Sequence, residues 1–120
     1  MPKMPKMPGF GGFNVGKMME SVQKMARETE KAEQELGEQR IEAAAGGGVV
    51  KAVVTGLGQI VEVKIDPEVV DPEDVEMLQD LVVSAVREAL EQATEAKKQR
   101  MQQVTDELGL GDMPDIPGLF

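Results

Sequence analysis

Few side chains in this sequence could do covalent chemistry. Ser21 and Ser84 are its only serines, and with no histidine in the chain neither has the usual base to activate it. There is no cysteine, which excludes disulfides, thiol catalysis and cysteine-ligated metal. Five acids crowd into nine residues, Asp66, Glu68, Asp71, Glu73 and Asp74, a density that invites comparison with a calcium loop. They lack the EF-hand spacing and its central glycine, and each stands where a helix cap or first turn wants an acid. Gly46-Gly47-Gly48 and Gly56-Leu57-Gly58 superficially resemble phosphate-binding loops. Neither fits G-x-x-x-x-G-K-[ST], and both read as hairpin turns. The expectation is a protein that is not an enzyme, with no cofactor, no metal and no small-molecule substrate.

Charge is the other chemistry available, and it is unevenly spread. The formal net charge is −9, which argues against a surface that attracts nucleic acid everywhere. From Met1 to Arg27, however, Lys3, Lys6, Lys17, Lys24 and Arg27 face the single acid Glu20. A second basic cluster, Lys97, Lys98 and Arg100, comes late in the chain. The acids gather in the middle, around Glu68 to Asp80.

The elements that must position these charges follow from the hydrophobic pattern. The 120 residues suggest one domain, 14–108, flanked by a basic arm at 1–13 and a C-terminal tail at 109–120. The repeat Met-Pro-Lys-Met-Pro-Lys-Met-Pro and the glycines after it forbid a helix in the arm. That arm is either a solvated tail or a segment that touches a phosphate backbone. A first helix starts at Asn14, an N-cap residue, and ends near Leu36 before Gly37. Along it Val15, Met18, Val22, Met25, Thr29, Ala32 and Leu36 form a narrow heptad seam suited to one partner helix. Arg40–Ala45 reads as a first strand, Val49–Thr55 as a second rich in β-branched residues, and Gln59–Ile65 as a third. In the third strand Val61, Val63 and Ile65 alternate with Glu62 and Lys64, the mark of one wet face.

Two Asp-Pro steps follow, and the second, Asp71-Pro72, is expected to start the last helix, which runs to about Leu108. Its apolar stripe from Val75 to Ala93 is broad enough to close the face of the sheet. At about 1.5 Å per residue this helix exceeds about 50 Å, so its second half must project beyond the sheet. The core has no Trp or Tyr, and its three Phe (Phe10, Phe13, Phe120) lie near the termini. Such a small aliphatic core points to oligomerisation. No apolar run approaches the ~20 residues of a membrane span. The N-terminal lysines precede no apolar core of a secretory signal, so a cytoplasmic protein is expected.

Gly46–Gly56 (GGGVVKAVVTG), Val63–Pro67 (VKIDP) and Met77–Val82 (MLQDLV) with the alanines that follow resemble, in that order, the YbaB/EbfC family of bacterial nucleoid-associated proteins. The similarity covers most of the chain; the Met-Pro-Lys arm departs from it. The resemblance implies an α+β fold: a long N-terminal helix, a three-stranded antiparallel meander and a long C-terminal helix projecting beyond the sheet. It also implies a tweezer-like homodimer joined at the sheets, bound to double-stranded DNA in the nucleoid, with a role in nucleoid organisation, gene regulation or DNA protection. Carried over from the family's helical arms, the candidate DNA-contacting residues are Lys17, Lys24 and Arg27 on the first helix and Lys97, Lys98 and Arg100 on the last. With no aromatic platform and no recognition-helix signature, such contacts would reach phosphates rather than base edges. The acidic net charge opposes them unless the basic arms protrude beyond the acidic centre. An alternative is a protein-interaction module whose arms grip a partner through Met18, Met25, Met101 and Val104.

Overall fold

The computed structural model describes residues 15–109. The elements run α1 (Val15–Glu38), β1 (Arg40–Ala45), β2 (Val50–Thr55), β3 (Ile60–Ile65), a 3-10 turn (Pro67–Val69) and α2 (Val75–Glu107). This is the α+β order read from the sequence. The arm at 1–13, the Asn14 cap and the tail beyond Gly109 fall outside the described residues.

The strands form one antiparallel meander in the order β1-β2-β3. Both turns depend on glycine. Gly46, Gly47 and Gly48 all have positive φ between β1 and β2, and Gly58 has φ +84° between β2 and β3. Thr55 Oγ1 ties the second turn by accepting from the Leu57 and Gln59 amides, each at 3.2 Å.

Register places Ile41, Ala43 and Ala45 opposite Val54, Ala52 and Val50 on one face. Against that face α2 lays the row Ala85, Ala89 and Ala93, one residue per turn at i, i+4 and i+8. Alanine opposes alanine here, with Ala43 and Ala52 on the sheet, so helix and strands approach closely. Leu78, Leu81, Val82, Val86 and Leu90 flank the row and fill the sides. The opposite face of the sheet is polar, and Glu42 bridges Lys51 (3.9 Å) and Lys64 (3.8 Å) across it. That salt link offsets the repulsion of Lys51 and Lys64, which are direct cross-strand neighbours.

Two expectations need correction. First, α2 does not close the whole hairpin. Ile60, Val61 and Ile65 on β3 remain 56%, 49% and 40% exposed. The cause is partly a bulge: Val53 pairs with Glu62 but Val54 pairs with Ile60, so Val61 has no partner and the alternation slips. Second, the Asp71-Pro72 step is not the start of α2. The Asp71 carboxylate instead accepts from the Glu73 amide at 2.9 Å, closing a turn. Asp74 follows at φ −138°, ψ 56°, outside helical space, and so becomes the N-cap, accepting from the Met77 amide at 3.3 Å.

Beyond Ala93 the helix leaves the sheet and pairs with α1. Ala32 and Leu36 of α1 and Val104 of α2 are buried. The Arg100 guanidinium donates from Nε to Glu35 Oε2 at 3.0 Å, with Nη2 also at 3.0 Å. The helices are antiparallel, because α1 enters the sheet where α2 leaves it: Leu36 packs at Gly56 and Leu90 lies near Gly58 of the same turn. Counting from Arg100 opposite Glu35, the last turn of α2 is level with about Glu28 of α1. Residues 15–27 of α1 therefore overhang the end of α2 by roughly 20 Å. The molecule is correspondingly long, 86 × 23 × 23 Å.

The joint between arm and sheet is tight. The Gly56 amide donates to Leu36 O at 2.8 Å, and a Cβ on Gly56 would lie 2.8 Å from that same backbone oxygen. Gly56→Ala should lower stability by about 2 kcal/mol, because backbone must move to admit the methyl. Gly47→Ala, with a positive φ but nothing within 4 Å of the added carbon, should cost only about 1 kcal/mol. Urea denaturation of both variants measures the difference. The Arg100–Glu35 pair, with side chains 19% and 49% exposed, should couple by less than about 1 kcal/mol in a double-mutant cycle, and more weakly still at high salt.

Candidate nucleic-acid interface

The cations on the two helices fall into separate groups. Lys17, Lys24 and Arg27 all stand exposed on the overhanging part of α1. Lys17 and Lys24 are seven residues apart, two helical turns, and Arg27 follows three residues on, so the three share one side of the helix. Their spacing along the axis is about 10 Å and then about 5 Å. Glu20 is the only acid on this stretch.

Lys31 continues the same row, at the same seven-residue step, and is exposed. It is not among the cations carried over from the family's arms; the seven-residue spacing from Lys17 through Lys24 is the sequence signal that points to it. Its surroundings differ, since Glu28, Glu30, Glu33, Glu35 and Glu38 make the inner half of α1 acidic.

Lys97 and Lys98 are exposed on α2, but not at the end of an arm. About two and a half turns remain beyond them, and those close on Asp106 and Glu107 with no base in the last turn. Given the stagger marked by Arg100 and Glu35, Lys97 is level with about Glu38, at the root of the arms. That puts it roughly 20 Å from Lys24 along the axis. Arg100 is engaged: its guanidinium binds Glu35 and reaches Gln103 Oε1 at 3.5 Å. The structure thus gathers Lys17, Lys24 and Arg27, keeps Lys97 and Lys98 apart from them, and uses Arg100 to pin the arms together.

The grip imagined through Met18, Met25, Met101 and Val104 is not a single open surface. Val104 is buried in the helix pair and Met101 is half-buried. Of the four only Met18 is exposed, at 53%, with Met25 intermediate. The second half of the seam is already occupied by the chain's own partner helix.

In the 66–74 stretch Asp66 caps the 3-10 turn and Asp74 caps α2, while Asp71, expected to start that helix, closes a turn before it. Asp66, Asp71 and Asp74 each accept one backbone amide, at 3.0, 2.9 and 3.3 Å. Among the described residues no group of three or more acids converges to hold a metal ion. No described helix is long and apolar enough to cross a membrane. What the α1 surface offers is a row of long, solvated cationic side chains, the chemistry that neutralises phosphate oxygens without reading base edges.

Known proteins place this architecture. The nucleoid-associated protein of Acetivibrio thermocellus is 50% identical over 107 residues, covering 89% of this chain and 90% of its own. That of Pelotomaculum thermopropionicum is 47% identical over 107 residues, covering 89% of this chain and 96% of its own. The crystal structure of an uncharacterized protein from Helicobacter pylori superposes with a TM-score of 0.66. It covers 72% of this chain and 91% of its own at 24% identity, and so bears on the fold alone. With the model of the YbaB/EbfC DNA-binding family matching residues 11–108, the chain belongs to that family.

Proposed function

We propose that this protein is a nucleoid-associated homodimer that binds duplex DNA along the overhanging half of α1. The observation that carries the reading is the segregation of charge on a protruding helix. Lys17, Lys24 and Arg27 stand against Glu20 alone on a stretch that nothing else in the described chain covers. Each cation placed on a phosphate releases condensed counterions, so affinity is non-specific and falls steeply with salt. Lys97 and Lys98 add a weaker contact at the root of the arm. The names of the relatives support the nucleoid as the place of action, within a bacterial cytoplasm. Contacts confined to the phosphate backbone suit a role in shaping DNA, whether for nucleoid organisation, gene regulation or protection.

The dimer is supported by apolar surface that the hub leaves open. β3 is an edge strand with Ile60, Val61 and Ile65 exposed, and an edge of this kind invites pairing with another chain. On α2, Val82, Val83, Val86 and Leu90 line an open groove of about 550 Å³, with Arg87 and Glu91 along one side of it. A second copy seated there would bury both surfaces and leave the two α1 overhangs free at the far ends.

Two measurements test this. In mobility shifts on duplex DNA across a salt series, replacing Lys17, Lys24 and Arg27 together with Ala should flatten the plot of log affinity against log salt by about 2 to 3. An unchanged slope would overturn the assignment of these residues. By light scattering, Ile60→Asp with Val83→Asp should convert a dimer to a folded monomer; a dimer that survives both changes would place the interface elsewhere.

A further inference from the structure

The heptad seam of α1 is covered only in its inner half. Ala32 and Leu36 are buried under α2, whereas Val15, Met18, Met19 and Val22, beyond the end of α2, are 72%, 53%, 59% and 63% exposed. At about 100° per residue these four stand within about 50° of one line along the helix. Val15 and Val22 are near that line, and Met18 and Met19 flank it on either side. Their spacing is the same read from either end of the stripe. Such a stripe is complementary to itself, which is what a contact between two copies about a two-fold axis needs.

The elements around the stripe select an antiparallel copy. A parallel one would run down the seam into the space that α2 fills from about Glu28 inward. An antiparallel one continues the line of α2 in the same direction, so that α1 meets a helix along both halves of its seam. With Val15 of each copy opposite Val22 of the other, the helices overlap by about 10 Å. About 9 Å then separates the start of the incoming helix from the end of α2, six residues from Val22 to Glu28. The charges at those two ends agree. The first turn of α1 holds Lys17 and no acid, and the last turn of α2 holds Asp106 and Glu107 and no base. Each end runs against its own helix dipole; facing one another, the two are opposite in sign. Lys17, Lys24 and Arg27 lie on the face of α1 turned away from the stripe, so neither copy carries them into the contact.

We propose that Val15, Met18, Met19 and Val22 form a self-association site, filled by the same stripe of a second copy lying antiparallel. Four residues a side bury well under the ~800 Å² per partner of a stable interface. The contact is therefore weak in dilute solution and forms where chains are concentrated. It depends neither on the hub dimer nor on DNA. Where the proposed function holds, it joins dimers end to end and leaves a cationic face outward on each copy.

The absence of any cysteine in the chain lets single cysteines in the overhang report the contact in the full-length protein. The antiparallel pair sets position 15 of one copy beside position 22 of the other. It holds the two positions 15 about 10 Å apart along the axis, beyond the reach of a disulfide. At high protein concentration under mild oxidation, a mixture of the Val15→Cys and Val22→Cys proteins should form a two-chain disulfide about tenfold faster than either protein alone. Equal rates in all three samples would mean chance collision or a parallel pair, and no disulfide would mean no contact; either result overturns the proposal. The proposed hub contact holds the overhangs apart, so its own failure would not alter this readout. By light scattering at high concentration, the parent should have a larger mean mass than Met18→Glu with Met19→Glu, and equal masses would also overturn the proposal.

Discussion

The constraint behind this architecture is a mismatch of length. α2 is 33 residues long, about 50 Å, while each strand it crosses has six residues and spans about 20 Å. Only its first half can be buried by the sheet, where Ala85, Ala89 and Ala93 lie against Ala43 and Ala52. The second half would be a solvated single helix, marginal in water, unless something else covered it. α1 supplies that cover, and the Leu36–Gly56 joint fixes where it begins. Sheet, arm and stagger thus follow from one helix outrunning its platform.

The small side chains of the core belong to the same account. A helix lying on a sheet through alanines buries little area per residue, and the close approach compensates by bringing backbone and flanking Leu and Val side chains into contact. Sheet and helix together still leave β3 uncovered, because the alanine row is centred on β1 and β2. A layer this thin has apolar surface left over at its edge, which is a physical ground for expecting assembly of more than one chain.

Much of this was legible in the sequence, for local reasons. β1 was read at its observed bounds, and β2 and β3 to within one residue, because β-branched runs between glycine turns leave few alternatives. The buried stripe of α2 followed from 3.6-residue spacing. The misses are non-local or arise from near-equal local choices. Asp71 and Asp74 are both good caps, and only the turn closed by Asp71 decides between them. The bulge at Val53 and Val54 depends on pairing, not composition. The stagger of the arms, set at the Leu36–Gly56 joint and marked by the Arg100–Glu35 pair, joins residues 65 apart in the chain. Without it, Lys97 and Lys98 look like the end of an arm, and Arg100 looks like a third free cation beside them.

That stagger also bears on how an acidic chain can belong to a DNA-binding family. A pI near 4.5 would oppose approach to DNA if the charge were smeared over a sphere. Here the overhang of α1 holds the single acid Glu20, the dense run of acids on α1 begins at Glu28, and those of the hub lie further back. Lys17 is eleven residues beyond Glu28, about 16 Å along the helix. At physiological ionic strength the Debye length is about 8 Å, so most of the repulsion from the acidic inner arm is screened at that distance. On the proposed reading the overhang is therefore a functional length. Lys17 gains most from it, because Lys24 and Arg27, four and one residues from Glu28, stay within about one Debye length of the inner acids.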